Sequence, residues 1–286
     1  MEKTNWKLRL GYDGTEFHGW QVQLDRSAMP TVQGILADAI AAVTSEQVLP
    51  QGAGRTDAGV HASAQAASFA LVAPIPAENF RRALNRVLPA AIRVLSAEPA
   101  APDFHARHSA TGKVYQYRIF FGPLCPPALA RYVACSRWPL DLSAMQQAAQ
   151  AIVGEYDFTS FAATDSDRAA RAANCTASQQ PNLLPISNAR RIEQSDWSSA
   201  PVALALADLL PGLDAASRTG AEIFTYTVRG NGFLHHMVRN LVGTFIEVGR
   251  GRIAPGAMAQ ILKGRDRALA GPTAPAQGLC LVEVLY

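Results

Sequence analysis

The sequence predicts an α+β fold of two ferredoxin-like, RNA-recognition-like halves sharing a mostly antiparallel sheet, with a cleft between them. Two observations predict it: the element order β-α-β-β-α-β within residues 1–105, and a second, less regular run of the same elements within 106–286. At 286 residues and 49% apolar, the chain can bury a substantial core.

Each element has a local cause. Trp6, Leu8, Leu10 and Tyr12 alternate with Lys7, Arg9 and Gly11 and stop at the turn dipeptide Asp13-Gly14, the signature of a half-buried strand. Thr31 then offers an N-cap to a helix in which Val32, Ile35, Leu36, Ala39, Ile40 and Val43 recur at helical spacing. A short strand near 48–49, a glycine-rich loop through Asp57, a strand over 65–71, a helix over 77–88 and a strand over 92–97 complete the first half. The second half reads as a strand over 113–120, a helix over 142–153 and a strand over 222–228. A long helix over 234–248, a short helix over 256–262 and a last strand over 279–286 follow. Residues 164–220, rich in Ala, Ser, Asp, Asn and Pro with weak periodicity, read as an insertion, apolar enough over 201–213 for a short helix.

Composition narrows the function only slightly. A formal net charge of +3 is compatible with a nucleic-acid partner without requiring one. Cys125, Cys135, Cys175 and Cys280 are scattered without metal-ligand spacing, so neither a zinc site nor a disulfide framework is indicated. No stretch has the length and apolarity of a signal peptide or membrane span, which leaves a cytoplasmic location as the default expectation.

Three segments carry chemistry. Asp57 lies among Gly52, Gly54 and Gly59, in a loop whose glycines permit sharp turning and close approach to a ligand. Taken alone, Asp beside Gly is ordinary turn chemistry. Arg55, two residues earlier, would share the face of Asp57 in an extended segment and hold its carboxylate ionised, which makes a usable nucleophile. The loop lacks both the third glycine of a dinucleotide fingerprint and the lysine of a P-loop. In the strand over 113–119, Tyr115 and Tyr117 share a face; core packing suits Tyr117, and stacking on a nucleobase suits Tyr115. Phe233 to Asn240 opens the long helix, where adjacent His235 and His236 would point in different directions and not easily share one metal. Arg239, four positions after His235, is either a solvated cation or a partner for a carboxylate across the cleft.

Together these segments resemble the tRNA pseudouridine synthase A family over nearly the whole chain. The resemblance rests on Tyr12-Asp13-Gly14-Thr15-Glu16-Phe17-His18-Gly19-Trp20-Gln21, the loop Gly54 to Ala62, Phe104-His105-Ala106-Arg107 with Ser109-Ala110-Thr111, Gly154 to Phe161, Phe233 to Asn240, and Ala274 to Leu281. It implies the pseudouridine synthase fold, with Asp57 as the catalytic aspartate, Tyr115 stacked on the target base, and Arg55 and Arg239 positioning or pairing with Asp57. It also implies isomerisation of uridines at positions 38, 39 and 40 of the tRNA anticodon arm by a homodimer needing neither metal nor organic cofactor. Residues 164–220 depart from the family pattern, with Arg190-Arg191-Ile192 as the remnant of a short strand there. Two rivals stand beside this reading. One is a non-catalytic RNA-binding module; the other is a nucleoside or glycoside hydrolase, which would need a second carboxylate, with Asp13 the only further candidate.

Overall fold

Strand β1 (Thr4–Tyr12) forms where the alternation predicts it, burying Trp6, Leu8, Leu10 and Tyr12. The computed structural model describes residues 3–23, 30–163, 187–202 and 221–286. Helix α1 (Val32–Thr44) is capped by the Thr31 hydroxyl, which accepts from Gly34 N. Strand β2 (Gln51–Gly52) lies slightly later than expected, because Leu49 is exposed rather than part of a buried strand. Strand β3 (His61–Leu71) begins four residues earlier than predicted. Most of its residues on both faces are buried, so it has no polar alternation to mark its start. Helix α2 (Ala77–Val87) buries Phe80 and Leu84, while Val87 faces outward, and strand β4 (Ile92–Pro99) follows.

The second run contains β5 (Gly112–Phe121), α3 (Pro127–Ala130), β6 (Ala134–Ser136), α4 (Leu142–Gln150) and β7 (Gly154–Asp157). It continues with β8 (Ala189–Pro201), β9 (Glu222–Gly230), α5 (Met237–Gly249), α6 (Met258–Gly264) and β10 (Leu279–Leu285). The main sheet order is β4-β1-β3-β10-β5-β9-β8-β7, with β2 on β3 and β6 on β5. The pairs β1–β3, β1–β4, β2–β3, β5–β10 and β7–β8 are antiparallel, whereas β3–β10 and β5–β6 are parallel. The run β4-β1-β3-β2 is the ferredoxin-like order, and β10-β5-β9-β8 repeats it. This is the mixed, mostly antiparallel α+β sheet that the sequence predicts.

Two expectations need correction. The segment read as an insertion contains β8, a 13-residue strand that supplies the second strand of the repeat. Arg190-Arg191-Ile192 is its beginning, and its exposed, polar alternation (Glu193, Asp196, Ser198 and Ser199 outward) concealed it among similar residues. The short helix expected over 201–213 falls almost wholly outside the described residues; Pro201 itself ends β8. The long helix starts at Met237, not Leu234, because His236 adopts a left-handed conformation at φ 59° and serves as N-cap.

The chain divides into two compact units. One comprises Met1–Arg137, Ser198–Arg229 and Pro275–Tyr286; the other comprises Trp138–Trp197 and Gly230–Ala274. In the first, Trp6 packs edge-on against Phe80 at 5.0 Å between ring centres. In the second, α5 buries Met237, Val238, Leu241, Val242 and Phe245, and Trp197 meets Phe245 edge-on at 6.2 Å. Each such apolar side chain contributes roughly 1.5–3 kcal/mol by leaving water.

Candidate active site

Asp57 begins a tight turn. Val60 N donates to Asp57 O at 3.1 Å, and Gly59 takes φ +78°, so the turn needs glycine at its third position. The preceding residues 55 and 56 belong to no strand. Arg55 is exposed, Asp57 half-buried, and Thr56 between them buried. Burial of Thr56 fixes the loop: its Oγ1 lies 2.8 Å from the Tyr12 hydroxyl, and its carbonyl accepts from Trp20 N at 3.0 Å. Gln65, wholly buried on β3, donates to Gly54 O at 2.9 Å and holds the other end.

The opening motif therefore acts as a clamp on the loop. Gly19, at φ +79°, lies so close that a Cβ there would come within 2.5 Å of Thr56 O. Gly14 leaves no room for a Cβ against the Val60 backbone, and Gly52 lies flat against the Trp20 indole. Gly59 N completes the contact by donating to Phe17 O at 3.3 Å. Sequence reasoning missed this role for residues 12–21; the spacing of Gly14 and Gly19 around Phe17 was its only local trace.

Tyr115 and Tyr117 stand on one face of β5, opposite Leu281 and Leu279 of β10. Tyr117 is wholly buried and donates to Pro275 O at 2.8 Å, as its core reading requires. Tyr115 is 7% exposed. Burial pushes its phenol well above the usual range, and the neighbouring Tyr12, Asp57 and Cys280 push it further, so the ring is neutral and within electrostatic reach of the Asp57 carboxylate. The structure thus brings Asp57, Arg55 and Tyr115 into one unit. Arg239 belongs to the other, on the first turn of α5, where its Nε donates to Ala274 O at 2.8 Å. His235 precedes that helix, so it does not share a helical face with Arg239. The His235 and His236 rings lie 4.0 Å apart.

A family model described as tRNA pseudouridine synthase matches residues 10–109 and 148–286, more than half the chain. Relatives described as tRNA pseudouridine synthase A align over almost the whole length. One from Solibacter usitatus is 42% identical, covering 98% of each chain. One from Moorella thermoacetica is 41% identical with the same coverage. One from Neisseria meningitidis serogroup B is 38% identical over 100% of this chain and 93% of its own. The chain belongs to the tRNA pseudouridine synthase A family.

As a member of that family the protein is an isomerase. The match continues across 148–286, in keeping with β8 being part of the fold rather than an addition to it. The second carboxylate that a hydrolase would require is otherwise engaged. Asp13 Oδ1 accepts from Thr15 N at 3.0 Å and Thr15 Oγ1 at 2.6 Å, and Oδ2 accepts from the Tyr132 hydroxyl at 2.9 Å. Burial pushes this carboxyl up, but those hydrogen bonds and the nearby His61 outweigh it and hold it below its ordinary value. Such a carboxylate anchors a turn and is poorly suited to general acid catalysis. No described helix is long and apolar enough to cross a membrane.

Proposed function

We propose that this synthase converts uridine to pseudouridine at positions 38, 39 and 40 of the tRNA anticodon arm, with Asp57 as its nucleophile. The observation that carries the reading is the pairing of a half-buried carboxylate, on a loop clamped from both ends, with the neutral ring of Tyr115 close enough to feel its charge. The reaction breaks a C–N glycosidic bond and remakes it as C–C, with no net redox change and no nucleotide hydrolysis, so one well-placed nucleophile suffices.

Roles follow from the chemistry of each side chain. The target base must leave its stack to meet Asp57, at a cost of a few kcal/mol. A ring such as Tyr115 returns about 1–3 kcal/mol by stacking. By the family resemblance, Arg55, exposed two residues before Asp57, and Arg239 position or pair with the carboxylate. Recognition rests on RNA shape and phosphate contacts, so binding weakens steeply with salt. By the same resemblance the enzyme works as a homodimer.

Mapping pseudouridines in tRNA from cells with and without this protein tests the assignment. Loss confined to positions 38–40 is the expected result. An unchanged anticodon arm, or free uracil among the products of the purified enzyme, contradicts it.

A further inference from the structure

His61, immediately after the Asp57–Val60 turn, is buried to 5% exposure and is surrounded by groups that constrain its protonation. Gly14 N lies 3.0 Å from Nδ1 and can only donate, so Nδ1 must be the bare, accepting nitrogen. Arg131 O lies 2.9 Å from Nε2 and can only accept, so Nε2 must carry the proton. Both contacts are satisfied by one neutral tautomer and no other form of the ring. Asp13 Oδ1 also lies 3.3 Å from Nδ1. A proton on Nδ1 would be donated in a hydrogen bond to that carboxylate, and the Gly14 N–H would lose its acceptor.

We infer that His61 is a positioning residue for Asp57: its neutral imidazole latches the Asp13–Gly14 turn onto the catalytic loop, and protonation of the ring releases the latch. The mechanical link is short. Gly14 presses on the Val60 backbone with no space for even a Cβ, and Val60 N closes the turn on Asp57 O. His61 is also the first residue of β3, in parallel register with Cys280 of β10, so the latch is fixed to the sheet.

The groups facing the ring set its response to pH. Burial favours the neutral ring most strongly; Asp13 and the carbonyls of Arg131 and Gln277 favour the charged ring, and Arg118 opposes it. The Tyr132 ring packs 5.1 Å away and donates to Asp13, and Arg131 reaches the same carboxylate at 3.8 Å. The balance lies on the neutral side, with the imidazole held below its ordinary value. This role rests on Asp57 being the nucleophile.

The test has two parts. Ring nitrogen NMR of histidine-labelled protein reads the tautomer, and single-turnover release of the uracil C5 hydrogen from tRNA, with tRNA affinity measured alongside, reads the consequence. The expected spectrum shows a bare Nδ1 and a protonated Nε2 at neutral pH, with the rate falling on acidification in step with ring protonation. His61→Asn, whose amide oxygen replaces the Nδ1 acceptor, removes that step from the profile. His61→Gln, which replaces Nε2 instead, falls roughly tenfold below His61→Asn in rate, with tRNA affinity equal in the two. Asp13→Asn moves the ring protonation and the rate step together to lower pH, since the carboxylate favours the imidazolium. A protonated Nδ1 in the wild type at neutral pH, or an acid step unchanged in His61→Asn, overturns the latch. Should His61→Asn fail to fold, the wild-type spectrum and the Asp13→Asn shift decide alone. Such a result with inactive Asp57→Asn removes only the latch, whereas activity in Asp57→Asn removes the nucleophile itself.

Discussion

The Asp57–Val60 turn and the entry to helix α5 solve the same backbone problem with different residues. Each needs one left-handed position. The first uses Gly59 at φ +78°, and the second uses His236 at φ 59°. Glycine adopts that conformation freely, while a residue with a Cβ is strained there by roughly 1–2 kcal/mol. The Asp57 loop is thus held by neighbours that press against it, and the α5 entry holds its own strain at the helix N-cap. The lesson is that the loop's rigidity comes from outside it, from Tyr12, Gly14, Gly19 and Gln65, so changes to those residues should rival changes within the loop.

The strongest way to break that comparison is Gly14→Ala. A Cβ there collides with the Val60 carbonyl, which is backbone and has no flexible end to yield. We expect a stability loss of about 1–3 kcal/mol, typical of overpacking, together with a drop in turnover. Chemical denaturation and single-turnover assays check both, and a wild-type rate would show that the clamp is dispensable. Gly59→Ala comes next, with a cost of roughly 1–2 kcal/mol from the left-handed position alone, since only the Ala276 methyl lies near its missing side chain, at 3.3 Å. His236→Gly sharpens the comparison from the other side. Relief of strain raises stability by up to about 1 kcal/mol, and a loss instead would mean that packing of the His236 ring on His235 outweighs the strain. The smallest effect concerns acid. Because His61 is held below its ordinary value of 6.5, the folded protein binds fewer protons than the unfolded chain. Stability is therefore full above that value and declines as pH falls through it toward the folded-state value. His61→Asn flattens this decline in a series of denaturation curves.

Much of the fold was legible in local pattern. The alternation from Trp6 to Tyr12 and the capped repeat after Thr31 were sufficient, because each element shows one face to the core. Strand β8 was legible only as the remnant at Arg190-Arg191-Ile192, since its exposed polar positions look like those of a loop until β7 and β9 are seen on either side. The start of α5 was misread for a related reason. Leu234 continues the apolar periodicity of the helix, and nothing in the letters marks the left-handed His236 that breaks the backbone there. The site divided in the same way. Asp57, Arg55 and Tyr115 were singled out by their chemistry, and the roles proposed for them come from the resemblance. Tyr12, Thr56, Gln65 and His61 were not picked out, because their work is done through contacts with residues up to 70 positions away in the chain.

The central claim is that one carboxylate on a clamped loop performs the chemistry. The most direct test is Asp57→Asn, with release of the uracil C5 hydrogen and tRNA affinity measured on the same preparation. Affinity should stay close to wild type and the rate should fall by more than about a thousandfold, the scale expected when a nucleophile is removed. Release at a rate near wild type would contradict it.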